Sequence, residues 1–189
     1  MEVSSTISST NDHKFEKNLK DLTVTVIGLG VIGGAFAESF VNMGVGTIYG
    51  IDVDENILIK AKKKGIITEG FIKTKEPLQK SDLVIITLYP NIMRSFFINN
   101  IENFKDGAII TDVGSVKKVA LAEIDGNVPE DSDIIVVLGH PVAGTEKSGP
   151  EAGFKELFEG RWCILTPSEK STDEAIAKVT TMWEKAHMK

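Results

Sequence analysis

Residues 22–33 read LTVTVIGLGVIG, a near-continuous run of β-forming residues that ends in three spaced glycines. The apolar run over 22–27 predicts a strand covered on both faces, because such strands lack the alternation of a half-exposed one. A helical pattern follows over 31–43. The stretch therefore predicts a strand, a tight glycine turn and a helix.

The rest of the chain repeats this alternation, which predicts parallel strands joined by helical crossovers. We expect an α/β domain with a doubly wound, mostly parallel sheet over residues 21–189, after a polar extension at 1–20. Further strands are predicted at 47–51, 82–88, 108–113, 133–138 and 161–166, and further helices at 55–64, 92–103, 116–123 and 172–187.

Composition and charge exclude several classes of protein. The chain has 42% hydrophobic and 25% charged residues, as ordinary globular domains do. A net charge of -6 argues against nucleic acid and anionic membranes as partners. The single cysteine, Cys163, excludes an internal disulfide, and no apolar run is long enough for a membrane span or a secretory signal. We expect a cytoplasmic protein.

The glycine turn has the pattern of a dinucleotide site. Gly28 suits the tight turn, Gly30 lets the backbone approach a pyrophosphate, and Gly33 allows close packing of helix and strand. Leu29, Val31 and Ile32 complete the turn, and the helix N-terminus offers unpaired N–H groups to phosphates. This position favours a Rossmann-like domain that binds NAD or NADP.

Asp52, at the end of the second predicted strand, favours NAD over NADP. A carboxylate here accepts hydrogen bonds from the adenosine ribose hydroxyls and repels a 2'-phosphate. The alternative is that Asp52 caps the following helix, a role for which Asp54 competes.

Two more strand ends should line the same crevice, since ligands of open α/β sheets collect at the carboxyl ends of strands. We expect cofactor contacts from these five residues, although Pro90 and Gly114 also suit ordinary turns: Leu88, Tyr89, Pro90, Asp112 and Gly114.

Residues 140–149 read HPVAGTEKSG and follow the strand predicted at 133–138. Together with GLGVIGG at 28–34, DVGSVK at 112–117, LFEG at 157–160 and ILTP at 164–167, this segment resembles the prephenate dehydrogenase family. The resemblance implies NAD-dependent oxidative decarboxylation of a small-molecule substrate, prephenate or its amino analogue arogenate, in tyrosine biosynthesis.

The resemblance also implies roles for particular residues. His140 matches the histidine that acts on the substrate hydroxyl, which suits a neutral imidazole as general base. Ser115 matches a serine that orients the hydroxyl, but it also suits a helix N-cap. Glu146 matches an acid near the site entrance, or it pairs with Lys147 on the surface. Lys117 either attracts substrate charge or occupies a helix surface.

The sequence departs from the family after this region. Family members continue into a helical domain that dimerises and supplies an arginine for a substrate carboxylate, and the 189 residues contain no such domain. Neither Arg94 nor Arg161 matches that arginine. We therefore expect a truncated, monomeric chain with the cofactor-side half of the site. The alternatives are an NAD-binding module without catalysis, or another oxidoreductase on the same cofactor domain.

Overall fold

A computed structural model describes residues 19–117, 124, 127–143 and 155–189. The described strands form one sheet of seven in the order β3-β2-β1-β4-β5-β6-β7. The strands are β1 (Thr23–Ile27), β2 (Thr47–Ile51), β3 (Glu69–Phe71), β4 (Leu83–Ile86), β5 (Ile109–Asp112), β6 (Ile135–Pro141) and β7 (Cys163–Pro167). The helices are α1 (Val31–Met43), α2 (Glu55–Lys64), α3 (Lys75–Lys80), α4 (Pro90–Asn100) and α5 (Asp173–Lys185), with short 3₁₀ turns at Ile101–Asn103 and Lys155–Leu157.

The topology confirms the predicted doubly wound, mostly parallel sheet. Strands β1 to β6 pair in parallel, and β7 alone runs antiparallel, against β6. Strand β1 pairs with β2 on one side and with β4 on the other, so the strand order reverses at β1. Such a switch point opens a crevice at the carboxyl ends of the two strands. The glycine turn lies at this crevice.

The core consists of two apolar layers, one on each face of the sheet. On one face, α1 and α5 pack against the sheet through Phe36 and Trp183, whose ring centroids lie 4.4 Å apart, and Phe158, after the second 3₁₀ turn, packs against both rings. On the other face, Phe97 and Phe104 pack with the side chains of β4 and β5. Strand β1 is buried on both faces, which explains its unbroken apolar pattern.

Local signals in the sequence explain where the helices begin and end. Helix α1 ends at Gly44, whose φ of 80° is accessible to glycine at little strain. Helix α5 begins after Thr172, whose side chain accepts a hydrogen bond from the N–H of Ala175 at 3.2 Å. Helix α4 begins at Pro90, a residue well suited to the first helical position because its missing N–H is not needed there.

Several predicted boundaries were wrong. Residues 65–81, for which the sequence predicts no element, contain β3 and α3, both too short for a periodic pattern. Strand β6 continues to Pro141, so His140 lies in the strand and not after it. Helix α4 starts two residues earlier than predicted and gives way to a 3₁₀ turn at Ile101. The predicted extension falls mostly at 1–18, outside the described residues.

The last residue of the chain pairs with the outer edge of β7. The N–H of Lys189 donates to the carbonyl of Arg161 at 2.7 Å, and its carbonyl accepts from the N–H of Cys163 at 2.9 Å. This is the hydrogen-bond pattern of a parallel pair. Among the residues described, no helix has both the length and the hydropathy to cross a bilayer.

Candidate active site

The glycine turn has the geometry that each glycine was predicted to provide. Gly28 has a φ of 84°, and its N–H donates to the carbonyl of Ile51 at 2.7 Å. A Cβ on Gly33 would lie 1.9 Å from the carbonyl oxygen of Gly28, so only glycine fits between helix and strand. A Cβ on Gly30 would meet no heavy atom within 4 Å. The space outside Gly30 is therefore open to a ligand.

The amino end of α1 is an available anion site. Gly30 is the N-cap and provides no side-chain hydrogen bond, and the first turn contains no acidic residue. The first N–H groups of a helix need partners and favour anions. Val31 and Ile32 are half-buried in this first turn. The arrangement fits a dinucleotide pyrophosphate.

Asp52 supports the turn from the end of β2. One carboxylate oxygen accepts the N–H of Leu29 at 2.8 Å, and the other accepts the N–H of Asp54 at 3.0 Å. The side chain of Leu29 is buried in the core, so Leu29 anchors the turn. Each oxygen of a carboxylate has capacity for a second hydrogen bond, which leaves Asp52 able to accept ribose hydroxyls.

The cap of α2 is Asp54, because its carboxylate accepts the N–H of Asn56 at 2.9 Å. The capping alternative for Asp52 is therefore excluded. A shallow cavity of about 430 Å³ opens beside this region, next to the carboxyl end of β3, and is lined in part by Phe71, Ile72 and Lys73.

Thr87 is a site residue that the sequence analysis missed. Its hydroxyl lies 2.8 Å from the carbonyl oxygen of Ile27 and 2.5 Å from that of Gly28, and it donates to one of them at a time. It also lies 2.7 Å from the Cβ position of Gly33. A small hydroxyl side chain at the end of β4, next to the switch point, was the signal available in the sequence.

The three residues that follow Thr87 lie in different environments. Leu88 is half-buried and packs against the core layer of β4 and β5. Tyr89 is the N-cap residue of α4, and its side chain is 77% exposed. Pro90 is exposed and begins α4. Of the three, Tyr89 has the side chain best placed to meet a bound ligand, and the predicted contacts stay predictions.

Asp112 lies almost fully buried at the end of β5, and its carboxylate has three protein partners. It accepts the N–H of Gly114 at 2.9 Å and the N–H of Gly139 at 3.2 Å, and it forms an ion pair with Lys117. Burial raises the pKa of Asp112, and the Lys117 ammonium and the two N–H groups oppose this effect. Burial likewise lowers the pKa of Lys117, and Asp112 opposes it.

This geometry excludes one of the two alternatives for Lys117. Lys117 does not occupy a helix surface, because its side chain is 11% exposed and paired with Asp112. The cofactor contact of Asp112 stays a prediction. In the structure, its carboxylate accepts hydrogen bonds from the N–H groups of Gly114 and Gly139. Gly114 is half-buried and receives its conformation from this contact.

His140 lies near the end of β6, opposite Ile164 of β7. The imidazole is half-buried, and its Nδ1 is buried without a hydrogen-bond partner among the described residues. A buried polar atom without a partner is uncommon and points to a ligand or a further protein group. Ser115 is exposed, one residue after Gly114. Glu146 and the rest of 144–154 lie outside the described residues.

An apolar surface flanks His140 on the same face of the sheet. Ile164 pairs with His140 across the strands, and the N–H of Val142 donates to the carbonyl of Trp162 at 2.8 Å. Side chains two residues apart on a strand share a face. Val142, Trp162 and Ile164 are 49%, 65% and 56% exposed, so this surface is available to a ligand or a protein partner.

Cys163 points to the other face of β7 and is half-buried. Burial raises the pKa of its thiol to about 12, so it is neutral and a poor nucleophile near pH 7. Within the ranges that the structure describes, no three His, Cys, Asp or Glu side chains converge as a metal site requires. Both Arg94, on α4, and Arg161, before β7, are exposed.

Comparison with known proteins identifies the family. Residues 36–189 match the model of the nucleotide-binding domain of prephenate dehydrogenase. The chain is 31% identical to the cyclohexadienyl dehydrogenase of Zymomonas mobilis over 164 residues, which is 85% of this chain and 54% of that protein.

Two solved structures are similar in fold. The prephenate dehydrogenase of Aquifex aeolicus, crystallised with hydroxyphenyl propionate and NAD+, has a TM-score of 0.81 and 32% identity over 89% of this chain and 58% of that one. The arogenate dehydrogenase of Synechocystis has a TM-score of 0.80 and 26% identity, with the same coverage, 89% and 58%.

The chain spans about half the length of the curated relatives that it matches. The match confirms the predicted family and the predicted nucleotide-binding domain. By this match, the chain belongs to the prephenate dehydrogenase family and comprises the nucleotide-binding domain of that family.

Proposed function

We propose that the chain binds NAD across the carboxyl ends of β1 and β4. The observation that carries this proposal is the amino end of α1, which has no side-chain cap and faces open space at Gly30. A pyrophosphate there receives N–H hydrogen bonds and the favourable end of the helix dipole. When bound, NAD+ supplies the acceptor for a hydride.

Asp52 gives this site its preference for NAD over NADP. Its carboxylate lies at the turn, held by Leu29 and Asp54, and has lone pairs left for the two ribose hydroxyls. A 2'-phosphate in the same place would meet a fixed negative charge. We expect NAD to bind at least about tenfold more tightly than NADP, a difference of roughly 1.4 kcal/mol.

We further propose that the substrate is prephenate, which loses a hydride and carbon dioxide to give 4-hydroxyphenylpyruvate. His140 accepts the proton of the ring hydroxyl as the carbinol carbon loses its hydride, a contribution of typically about 10²- to 10⁴-fold. Because Nδ1 is buried, Nε2 is the nitrogen that we assign to the hydroxyl. Ser115, exposed beside Gly114, orients the same hydroxyl, and Glu146 adjusts the environment of the imidazole.

The surface around His140 suits a substrate with an apolar ring. Val142, Trp162 and Ile164 present their side chains on the face that carries the imidazole. Burial of such side chains against a ring stabilises binding by about 25 cal/mol for each Å² of apolar area removed from water.

The two carboxylates of prephenate limit what the chain does alone. Lys117 is already matched by Asp112, and the side chains of Arg94 and Arg161 lie outside this cluster, on α4 and before β7. A buried carboxylate without a cation is costly. Since the relatives are about twice as long, we assign the chain the cofactor-side half of the site. A second candidate function is an NAD-binding module without turnover, which the shortage of cations for the two substrate carboxylates also favours.

The first experiment is calorimetric titration of the 189-residue chain with NAD and with NADP. We expect NAD to bind with a Kd in the micromolar to millimolar range, equivalent to about 4 to 8 kcal/mol. Absence of NAD binding at this concentration would refute the cofactor assignment. NADP that binds as tightly as NAD would refute the role of Asp52.

The second experiment measures NADH formation with prephenate and with arogenate, for the chain alone and for a fusion to the second half of the Zymomonas mobilis relative. We expect turnover of prephenate by the fusion and its loss in His140→Asn, with NAD affinity unchanged. His187→Asn is the matched control, because His187 is exposed with a φ of 66°, which asparagine tolerates. If the fusion converts arogenate but not prephenate, the proposed substrate is wrong and arogenate replaces it. Full turnover by His140→Asn would refute the base.

We also propose a cytoplasmic, monomeric chain. The single cysteine, Cys163, supports a reducing compartment. Sedimentation of the purified chain at micromolar concentration tests its oligomeric state.

A further inference from the structure

We propose that Asp112 is the positioning residue that holds the Ser115 turn and the His140 strand end in register with each other, with Lys117 as the compensating charge. The significance for catalysis rests on the proposed function of His140, whereas the structural coupling itself does not. Asp112 does not touch the reacting atoms, and it acts through the two glycines that precede Ser115 and His140.

The register of the sheet explains why a side chain is needed here. Strand β5 pairs Ile109 with Ile135 and Ile110 with Val136, which places Leu138 opposite Asp112. Strand β5 ends at Asp112, but β6 continues to Pro141. The recorded pairing of the two strands stops at Ile110 and Val136, two residues before Asp112 and Leu138. Beyond that point the Asp112 carboxylate accepts the N–H of Gly139, at 3.2 Å.

The other carboxylate oxygen acts on the segment that leaves β5. It accepts the N–H of Gly114 at 2.9 Å and so folds the chain back over the end of the strand. Ser115 is the next residue, and it is exposed at the edge of the sheet. One buried carboxylate thus contacts both main-chain segments that carry the proposed hydroxyl and imidazole groups.

Lys117 makes this arrangement possible. Asp112 is 1% exposed at its side chain, and a carboxylate so deeply buried requires a paired cation. The Lys117 ammonium bonds to the same oxygen that accepts Gly139. Lys117 compensates the charge of Asp112, and Asp112 positions the two glycines, so different variants should affect the two roles. Loss of the charge affects the stability of the fold, whereas loss of the acceptor oxygens affects the two glycines.

The amino edge of the sheet provides a matched control. Asp82 accepts the N–H of Thr23 at 2.9 Å and pairs with Lys105 at 2.5 Å, so it joins β4 to β1 by the same chemistry. It lies at the opposite ends of the strands from His140. Asp82→Asn therefore removes a comparable carboxylate at a position that contacts no part of the proposed site.

The test compares Asp112→Asn, the double variant Asp112→Asn with Lys117→Met, and Asp82→Asn in the 189-residue chain. Amide hydrogen exchange of Gly114 and Gly139 is measured by NMR, with Val137 of β6 as the internal reference. Ring resonances of His140, the thermal midpoint and the affinity for NAD are recorded in parallel.

In Asp112→Asn the amide keeps one neutral acceptor oxygen, so one of the two glycine N–H groups loses its acceptor and the other loses the charge of its acceptor. We expect at least one of the Gly114 and Gly139 amides to exchange about tenfold faster relative to Val137. The His140 ring resonances should shift, and the thermal midpoint should fall. The double variant should recover the midpoint, because no unpaired charge remains, but it should keep the fast exchange and the shifted resonances. Asp82→Asn should leave both glycines and His140 unchanged.

Wild-type protection of both glycines in Asp112→Asn, or its recovery in the double variant, would overturn the proposal and leave Asp112 a purely stabilising residue. Failure of the double variant to fold would also overturn it, since the compensated pair is then required for the fold itself. The NAD affinity separates this inference from the proposed function. Unchanged NAD binding with altered glycines supports positioning, whereas absent NAD binding in the wild type refutes the cofactor site alone.

Discussion

Replacement of Gly30 by alanine should abolish most of the cofactor affinity without disturbing the fold. In the folded chain, a Cβ on Gly30 meets no heavy atom within 4 Å. The backbone φ of -71° is ordinary for alanine. The added methyl group therefore creates no clash in the protein. Its effect appears only when a phosphate approaches the amino end of α1.

The size of the effect follows from the hydrogen bonds that the methyl group displaces. A phosphate oxygen lies about 2.9 Å from a backbone nitrogen when it accepts its N–H, and a methyl group at Gly30 holds it farther away. Charge-assisted hydrogen bonds contribute about 1.5–3 kcal/mol each. Loss of about 2 kcal/mol weakens NAD binding roughly 30-fold. The folding cost of alanine instead of glycine at an N-cap is at most about 1 kcal/mol, or roughly 2–4 °C in Tm.

Gly46→Ala is the matched comparison, because a Cβ there would lie 1.7 Å from the carbonyl oxygen of Lys20, away from the turn. Such overpacking costs about 1–3 kcal/mol, so Tm should fall by roughly 2–12 °C. NAD affinity of the folded protein should be unchanged. Calorimetric titration and thermal unfolding of both variants provide the two measurements. Wild-type NAD affinity in Gly30→Ala would refute the assignment of the pyrophosphate to this turn.

Three further predictions follow from individual contacts. Asp54→Ala should lower stability by about 1 kcal/mol through loss of the α2 cap and leave NAD affinity unchanged, whereas Asp52→Ala should weaken NAD binding about tenfold or more. The pKa of Cys163 is about 12 in the folded chain, against an ordinary value of 9.0, so folding favours the neutral thiol. The free energy of unfolding should therefore fall as the pH rises from 9.0 towards 12. Urea titrations at several pH values should show a shallower fall in Cys163→Ala than in the wild type. Trp183→Phe should change the free energy of unfolding by less than about 1 kcal/mol, because it removes a buried N–H that lacks a partner in the described structure, whereas Phe36→Ala should cost about 3–5 kcal/mol by thermal or urea unfolding.

The parts of the fold that the sequence predicted are those in which one local pattern suffices. The apolar run of β1, the glycine turn and the periodic helix α1 are consecutive, and each has a pattern of its own. Strand β3 and helix α3 have only three and six residues, so neither provides a full period of its pattern. The assignment of β3 depends on its pairing with β2, a contact between residues some twenty positions apart.

The site was predictable where a residue acts through its own side chain or its own backbone. The positions of Gly28 and Gly33 follow from the steric demands of a tight turn, whereas Gly30 leaves space for a ligand. Thr87 and Lys117 were missed or misjudged because their roles depend on strand neighbours that no local pattern identifies. Thr87 reaches the turn only because β4 pairs with β1, and Lys117 is buried only because Asp112 lies beneath it.

Each end of the sheet contains an Asp–Lys ion pair whose carboxylate also accepts main-chain N–H groups, but the two pairs differ in burial. At the amino edge, Asp82 and Lys105 join β4 to β1, and both side chains are partly exposed. At the carboxyl edge, Asp112 pairs with Lys117 but accepts two main-chain N–H groups instead of one, and both side chains are nearly buried where β6 extends past the end of β5. That overhang is what places His140 beyond the last main-chain hydrogen bonds of β5. On its other side β6 is held by β7, and the buried Asp112 carboxylate is the group that joins Gly139, the residue before His140, to the end of β5.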